Sequence, residues 1–421
     1  MKTNGNIATE EKPSALRIAQ INMTAIGSTG KIMLQIAETA RSQGHIAQTF
    51  STNQFSTKYK KLPPAPYGHT YYGSYFENGI HLALALITGK NGCYSSIGTC
   101  QLIAKLKKFK PDIIHLHNLH GFCINLPMLF DYIKSNNIKT VWTLHDCWSF
   151  TGHCPYFTIV NCDKWKQQCY DCPQINVYPK SRVDNSRQMY QLKKKWFTGV
   201  SDMTLVTPSQ WLSELVSESF LQKYPVNVIN NGIDLNIFKP TDSNFRQKHG
   251  LEGKHVILGV AFGWGKRKGL DVFLELSKRL SDDYRIVLVG TNDTVERELP
   301  DNIVSIQRTN NQTELAEIYS SADLFVNPTR EENYPTVNME AIACGTPVLT
   351  FKTGGSPEIV DADCGSIVDC NDIDSMEKEI IRICTNKPYS KKACLLKAKS
   401  FDMNDKFKEY IDLYENLTHR A

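Results

Sequence analysis

Long hydrophobic runs are missing from this 421-residue sequence. The longest apolar stretches, such as residues 80–87 (IHLALALI), fall far short of the ~20 residues that cross a bilayer. The segment MKTNGNIATEEKPS at the start also lacks the apolar core of a secretory signal. We therefore expect neither a signal peptide nor a membrane span, and we expect a cytoplasmic protein that contacts the inner membrane leaflet peripherally.

Internal repeats, low-complexity segments and heptad arrays are also absent, which excludes solenoids and coiled coils. A composition of 41% hydrophobic and 22% charged residues is typical of a globular protein, and the length suggests two domains. The net charge of +5 is mild, but residues 105–110 (KLKKFK) and 193–195 (KKK) are basic runs. We expect solvated surfaces there, with attraction to an anionic membrane or an acidic substrate as the alternative.

The segment GSTGK at residues 27–31 resembles the phosphate-binding loop of NTPases but lacks two of its parts. That loop needs a glycine five residues before Gly30 and a hydroxyl residue after Lys31, where this sequence has Ala25 and Ile32. Without the hydroxyl there is no magnesium ligand, so the NTPase interpretation fails. Two alternatives remain: a plain turn before a helix at 31–43, or a backbone that approaches an anionic ligand closely.

Strands and helices alternate along almost the whole sequence. Short β-branched runs such as DIIHLH (112–117), TVWTLH (140–145) and RIVLVG (285–290) alternate with amphipathic segments. This order predicts an α/β protein with two Rossmann-like, doubly wound domains that face each other across a cleft. The expected boundaries are a disordered tail at 1–14, a first domain at 15–224 with a Cys-rich insertion at 147–180, a second domain at 225–398, and a helix at 399–421 that packs back on the first domain.

The polar residues of most interest follow the expected strands, where doubly wound domains bind ligands. His145 and Asp146 follow one strand, and His115 and His117 end another. We expect His115 and His117 to point to opposite faces of their strand and to be structural.

Residues 331–348 (EENYPTVNMEAIACGTPV) carry the strongest local signal. Pro335 and Gly345 fit the start and end of a short helix, with Glu332 in the preceding loop and Glu340 inside the helix. The backbone N–H groups at the start of such a helix favour a diphosphate. The alternative is that the acidic residues only complement the helix dipole.

Glu332 and Glu340, separated by seven residues, resemble the E-x7-E motif of family-four retaining glycosyltransferases with the GT-B fold. DIIHLHN, TLHD, VINNGIDLNIFKP, SADLFVNPT and TGGSPEIV are similar to further motifs of that family, in the same order. Together GSTGKI and LHDCWSFTGHCPY look most like the branch that builds bacterial exopolysaccharide and capsule, which includes colanic-acid-type enzymes.

The resemblance implies a hexosyltransferase that uses a UDP- or GDP-sugar as donor and a growing, lipid-linked glycan as acceptor. In the first domain, the backbone at Gly27 and Ser28 would meet the donor diphosphate, and His145 would hydrogen-bond the transferred sugar.

In the second domain, the resemblance implies that Glu332 holds the sugar hydroxyls, Glu340 binds the ribose and Lys268 neutralises the leaving diphosphate. The start of the helix would complete the donor site with Tyr334, Pro335, Thr336 and Val337.

The sequence departs from the family pattern in the loop GWGKRKG (263–269). The family usually has Gly-Arg near the start of this loop, whereas Trp264 follows Gly263 here. Lys266 or Arg267 would replace the missing cation, or phosphate binding would be weaker. No Asp-x-Asp motif follows a strand, so we expect that catalysis requires no cofactor if Lys268 neutralises the phosphate.

Five of the thirteen cysteines lie within residues 147–172. Cys154, Cys162, Cys169 and Cys172 are spaced by 8, 7 and 3 positions, and only the last pair has the C-x2-C spacing of zinc sites. Four thiolates in a reducing compartment favour a structural zinc ion. Free buried thiols and disulfides are the alternatives.

Two other functions compete with the glycosyltransferase. A nucleotide-sugar epimerase would share the two-domain fold, but the E-x7-E helix argues against it. A zinc-dependent nucleic-acid-binding protein would use the cysteines and basic runs, yet it needs a basic module with exposed aromatic residues. The cysteine segment is not notably basic, so we expect no nucleic-acid partner.

Overall fold

The computed structural model describes residues 15–52 and 65–419. The expected disordered tail at 1–14 therefore lies outside the described residues. No helix in the described ranges is both long and apolar enough to cross a membrane.

The first domain is built on a seven-stranded parallel sheet with the order β3-β2-β1-β4-β5-β6-β7. Its strands are β1 (Arg17–Asn22), β2 (Ile46–Thr52), β3 (His69–Tyr72), β4 (Ile113–Leu116), β5 (Lys139–Thr143), β6 (Met203–Thr207) and β7 (Val226–Val228). Its helices are α1 (Gly27–Ser42), α2 (Tyr75–Thr88), α3 (Ser96–Phe109), α4 (Leu126–Ser135), α5 (Ser186–Phe197) and α6 (Gln210–Ser217). Short 3-10 helices cover Trp148–Phe150 and Lys164–Lys166.

The second domain has a six-stranded parallel sheet with the order β10-β9-β8-β11-β12-β13. Its strands are β8 (His255–Val260), β9 (Tyr284–Val289), β10 (Ile303–Ile306), β11 (Leu324–Asn327), β12 (Val348–Phe351) and β13 (Gly365–Val368). The remaining helices are α7 (Phe245–Lys248), α8 (Leu270–Arg279), α9 (Asp293–Glu296), α10 (Gln312–Ser321), α11 (Thr336–Ala343), α12 (Ser356–Ile359), α13 (Ile373–Asn386), α14 (Lys391–Ala398) and α15 (Met403–His419), with 3-10 helices at Lys266–Lys268 and Lys399–Phe401.

The two doubly wound domains expected from the alternation are confirmed. In each sheet the strand order reverses beside the first strand, between β1 and β4 and between β8 and β11. Doubly wound sheets bind ligands outside the carboxyl ends of the strands at such a reversal. One detail differs from the expected boundary at residue 224, because β7 pairs with β6 and extends the first sheet beyond it.

Helix α1 begins at Gly27, earlier than the helix expected at 31–43. The small residues of GSTGK therefore form its first turn instead of a separate loop. A side chain at position 30 would bring a Cβ within 2.5 Å of the Ala25 carbonyl carbon, so only glycine lets this turn pack on the preceding chain. Buried Ile32, Ile36 and Ala40 repeat at helical spacing and face the sheet.

Helix α15 packs against the first domain although it follows the second domain in sequence. Its buried Phe407, Tyr410 and Tyr414 share one apolar core with Ile18 of β1 and Ile36 of α1. The chain thus crosses between the domains twice. The two crossings are joined by backbone hydrogen bonds from Ile233 N to Phe401 O at 2.8 Å and from Met403 N to Ile233 O at 3.0 Å.

Lys193 lies in the interior, which makes the expectation of a solvated KKK face wrong for this residue. It is 1% exposed, and its Nζ donates to Trp148 O at 2.7 Å and Thr151 O at 3.1 Å. The ammonium also lies 3.3 Å from the centre of the Trp148 ring. Burial lowers the pKa of Lys193 to about 7. This side chain therefore ties α5 to the start of the Cys-rich insertion.

Removing the Tyr414 hydroxyl tests how α15 is held. The hydroxyl is fully buried and lies 2.6 Å from Nδ1 of His115 on β4. Tyr414→Phe leaves that nitrogen buried without its partner, so we expect the free energy of unfolding to fall by about 1–3 kcal/mol. Urea denaturation measures the change, with Tyr67→Phe at an 84% exposed position as the control. Equal stability of the two variants would contradict the expectation.

Candidate functional site

A cavity of about 380 Å³ lies between the domains at the carboxyl ends of both sheets. The first domain contributes Ser28 and Thr29 at the start of α1, Asn118 after β4, and His145 and Asp146 after β5. From the second domain, the cavity is lined by Lys268, Glu332, Tyr334, Pro335, Thr336 and Val337. Most of the residues singled out from the sequence are thus brought together, while Gly27, Arg267 and Glu340 are not among the lining residues.

Lys268 and Glu332 form an ion pair in the wall of the cavity. Lys268 comes from the 3-10 turn after β8, and Glu332 comes from the loop after β11. Their side chains are 21% and 17% exposed, so the pair is shielded from much of the solvent. A cation and a carboxylate assigned separately from the sequence therefore hold each other in position.

The loop that carries Glu332 is fixed by a glycine pair in TGGSPEIV. Gly354 has a φ of 55°, and a Cβ at this position would lie 1.8 Å from the Glu332 carbonyl oxygen. Gly355 N donates to Asn333 O at 2.7 Å. The close approach of the two backbones therefore requires glycine at position 354, and the Gly355 N–H holds the residue after Glu332.

His145 is held through its backbone and its ring. Its carbonyl accepts from Nδ2 of Asn333 in the other domain at 3.1 Å, and its Nε2 lies 3.1 Å from Nδ1 of His117. Burial lowers the pKa of His145 to about 4. His145 is therefore neutral at pH 7, and its ring can form hydrogen bonds with a ligand.

The expectation that His115 and His117 point to opposite faces is wrong. Residues two apart on a strand share a face, and these two rings lie 4.1 Å apart. Because His117 also hydrogen-bonds His145, the three residues form a buried row of imidazoles that ends at the cavity. Burial lowers the pKa of His115 to about 3 and that of His117 well below its ordinary value.

Asp146 and His120 are site residues to which the sequence analysis gave no role. Oδ2 of Asp146 lies 2.9 Å from Nε2 of His120, and Nδ1 of His120 lies 2.9 Å from the Tyr178 hydroxyl. Burial acts against ionisation of Asp146, but His120 and the Trp148 N–H lower its pKa overall. The sequence signal for Asp146 was its position directly after a strand, whereas Tyr178 lies in the insertion and had none.

Glu340 lies behind the cavity wall on α11. Its Oε2 accepts from the Tyr319 hydroxyl at 3.1 Å. Burial raises the pKa of Glu340 to about 7, although hydrogen bonds from Tyr319 and Thr336 and the charge of Lys31 act in the opposite direction.

Only one of the three cations in GWGKRKG lines the cavity, and it is Lys268. Arg267 is exposed, donates to Glu331 O at 3.3 Å, and lies 5.7 Å from the centre of the Tyr156 ring. Lys266 and Arg267 are not among the lining residues, and the replacement of the missing family arginine by one of them stays a prediction.

The four-cysteine zinc site is not supported. Across residues 15–52 and 65–419, no group of three or more His, Cys, Asp or Glu side chains is placed to hold a metal ion. The interaction of the neighbouring Cys154 and Cys172 thiols raises the pKa of Cys154 and lowers that of Cys172. Cys169 accepts from Gly152 N at 3.1 Å, and Cys162 packs on the first core. The four thiols are therefore free and make local contacts, and of the four only Cys154 is fully buried.

Comparisons with known proteins agree with this geometry. Residues 31–237 match the Glycosyltransferase Family 4 model, and residues 241–397 match the model for Glycosyl transferases group 1. The chain therefore belongs to the family-four, group 1 glycosyltransferases with the GT-B fold.

One relative is a putative colanic acid biosynthesis glycosyl transferase, WcaC, of Escherichia coli K12. The two are 24% identical over 326 residues, which is 73% of this chain and 77% of the relative.

Solved structures with a similar fold include sucrose-phosphate synthase from Thermosynechococcus elongatus, with a TM-score of 0.71 and 17% identity over 96% of this chain and 99% of that one. Anabaena Alr3699/HepE in complex with UDP has a TM-score of 0.65 and 14% identity over 95% of this chain and all of its own.

The pKa of Glu340 predicts a pH dependence for a nucleotide-sugar donor. Below pH 7 the carboxyl is mostly protonated, and it becomes a carboxylate as pH rises through about 7. We propose that this carboxylate accepts hydrogen bonds from the donor ribose, the role that the family resemblance implies. We expect the donor KM to fall about tenfold between pH 6 and pH 8. The raised pKa also affects stability. The contribution of Glu340 to the free energy of unfolding is largest below the ordinary pKa of a glutamate and is lost as pH rises through about 7.

Glu340→Gln has no proton to lose at this position, so its donor KM should not vary over this range. Glu298→Gln, at an exposed position of the same domain, is the matched control and should keep the pH dependence. Steady-state kinetics at three or more pH values measures the donor KM of each variant. A pH-dependent KM in Glu340→Gln would contradict the assignment of the pH dependence to Glu340.

Proposed function

We propose that the protein is a retaining hexosyltransferase that moves a sugar from a UDP- or GDP-sugar to a growing, lipid-linked bacterial surface polysaccharide. The observation that carries the proposal is the interdomain cavity, where Lys268, Glu332 and the start of α11 face Ser28 and His145. The named role of the Escherichia coli relative in colanic acid biosynthesis supports the acceptor class. UDP bound to the Anabaena enzyme supports the donor class.

The proposed reaction breaks the bond between the sugar carbon and the donor phosphate oxygen. Negative charge grows on the departing phosphate, where Lys268 and the N–H groups at the start of α11 stabilise it. The acceptor hydroxyl oxygen attacks the sugar carbon from the same face, and its proton passes to the departing phosphate oxygen. The new bond therefore keeps the configuration of the old one.

The remaining side chains bind and orient the donor. Glu332 accepts from hydroxyls of the transferred sugar, and the neutral imidazole of His145 hydrogen-bonds the same sugar from the first domain. Glu340 accepts from ribose hydroxyls once its carboxyl is ionised. The proposal assigns phosphate neutralisation to Lys268 and α11 and requires no cofactor for catalysis.

We also propose peripheral membrane contact, through apolar side chains of α2. Phe76, Ile80 and Ile87 lie on one side of this helix and are 70%, 46% and 53% exposed. The start of α2 borders Met23 and Phe122, which follow β1 and β4 at the cleft edge of the sheet. This surface would bring the cleft close to an acceptor anchored in the inner leaflet.

The basic run at 105–110 lies on the opposite side of the first domain, at the amino ends of the strands. Phe109 O, at the end of α3, accepts from the Arg17 side chain at the amino end of β1 at 2.7 Å. Lys107 and Lys108 occupy the same last turn. A membrane bound to these lysines would therefore face away from the cleft.

Substitutions of the paired side chains test the enzyme assignment. Glu332→Ala should lower kcat about a hundredfold with little change in donor KM, because its hydrogen bonds, at about 2–3 kcal/mol, tighten as the bond breaks. Lys268→Ala should impair both parameters, because it faces charge in the ground state and in the transition state. Release of nucleoside diphosphate from a donor panel measures these changes.

Glu298→Ala is the control for that experiment and should behave as the unmodified enzyme. Full turnover in both Glu332→Ala and Lys268→Ala would contradict the catalytic roles proposed for these two side chains.

Vesicle sedimentation tests the membrane surface. Combined Phe76→Ser, Ile80→Ser and Ile87→Ser should reduce binding to phosphatidylglycerol-containing vesicles at least fivefold, because three apolar side chains no longer enter the interface. Lys107→Gln with Lys108→Gln should have a smaller effect. The reverse order of effects would assign membrane contact to the amino ends of the strands instead.

A further inference from the structure

A second interdomain cavity of about 700 Å³ shares no lining residue with the first. Asn161 of the insertion and Trp211 of α6 line it from the first domain. From the second domain, Lys266, Lys352, Thr353 and Asn371 line it. This cavity has no part in the donor chemistry described above.

One contact between the domains separates the two cavities. Ile159 N donates to Glu331 Oε1 at 3.2 Å, and Thr158 Oγ1 donates to Arg330 O at 3.3 Å. Tyr156 lines the donor cavity, whereas Thr158 and Ile159 line the second one. The insertion therefore passes from one cavity to the other, and the second cavity lies directly beyond the loop that carries Glu332.

The second cavity carries uncompensated positive charge. Arg330 is neutralised by Asp271, with two N–H···O bonds of 2.7 and 2.8 Å. In contrast, the exposed ammonium groups of Lys266 and Lys352 have no ion-pair or hydrogen-bond partner within the parts of the chain that the structure describes. The two lysines thus favour an anionic ligand.

The neutral lining fits a sugar ring. Trp211 offers a half-buried indole, and Asn161 an exposed amide. Thr353 is 7% exposed, and its buried Oγ1 has no hydrogen-bond partner among the described residues. Because that oxygen is closed off from solvent, the exposed Asn161 amide is the neutral polar group that a sugar hydroxyl can reach.

A phosphate is the weaker candidate for this cavity. The N–H groups of Gln210 and Trp211 at the start of α6 would be its natural donors. Both already donate to the Glu358 carboxylate, at 2.8 Å each. With those donors occupied, lysines beside an indole and an exposed amide fit a carboxylate-bearing sugar better.

We propose that the second cavity is a subsite for an acidic saccharide, a hexuronate-bearing segment of the acceptor glycan away from its reacting end. Lys266 and Lys352 bind its carboxylates, Trp211 packs on a sugar ring, and the Asn161 amide hydrogen-bonds a sugar hydroxyl. The inference rests on the proposed function, because it takes the growing glycan as acceptor. It adds that the enzyme selects for acidic glycans.

Calorimetric titration of the full chain with trigalacturonate, and with its fully methyl-esterified form as the uncharged match, tests the subsite. We expect the acid to bind at least tenfold more tightly than the ester. Lys266→Gln with Lys352→Gln should weaken trigalacturonate binding about tenfold, and Trp211→Ala should weaken both probes. Lys248→Gln with Lys392→Gln removes the same charge from exposed helix positions and should change neither affinity.

Equal binding of acid and ester, no binding of either, or displacement of trigalacturonate by UDP would overturn the subsite. UDP binding measured on the same lysine and tryptophan variants should stay unchanged, because those side chains are absent from the donor cavity. A protein that binds trigalacturonate as expected but releases nucleoside diphosphate from no donor would contradict the proposed function and support the subsite.

Discussion

The loop from Arg330 to Asn333 is bound by both domains at once, and the geometry of both cavities depends on it. Asn333 donates to the His145 carbonyl in the first domain, while Gly355 N in the second domain donates to the Asn333 carbonyl. Ile159 of the insertion donates to the Glu331 side chain. Because the loop is fixed from both sides, Glu332 faces Lys268 on one side, and on the other side the loop closes the second cavity.

Burial simplifies the electrostatics around the donor cavity. It keeps His115, His117 and His145 neutral at pH 7, and it leaves Glu340 close to half-ionised there. The lasting charges are then the Lys268–Glu332 pair and Asp146, which His120 stabilises. A diphosphate beside α11 would meet one cation and a set of backbone N–H groups, an arrangement that acts on charge developing at one position.

The two ends of the strands in the first sheet are surrounded by different surface chemistry. The cleft and the exposed apolar side of α2 lie at the carboxyl ends of the strands. The lysines in the last turn of α3 lie at the amino ends. This difference follows from the order of the elements, because each crossover helix runs back from the carboxyl ends of the strands to their amino ends. The lysines of α3 and the apolar surface of α2 therefore lie on opposite sides of the first domain.

The two doubly wound domains could be predicted from the sequence alone, as could the positions of Ser28, His145, Lys268 and Glu332 after strands. This was possible because local periodicity and turn residues fix strands, helices and the carboxyl ends of the strands. Which polar side chains are buried, and what they contact, became known from the three-dimensional fold. Lys193 is buried beneath the insertion, and Lys268 alone of three neighbouring cations lines the cavity. The cysteines of the insertion form no metal-holding group among the residues that the structure describes. These outcomes depend on contacts between segments far apart in sequence, such as Ile159 with Glu331, which no local pattern encodes.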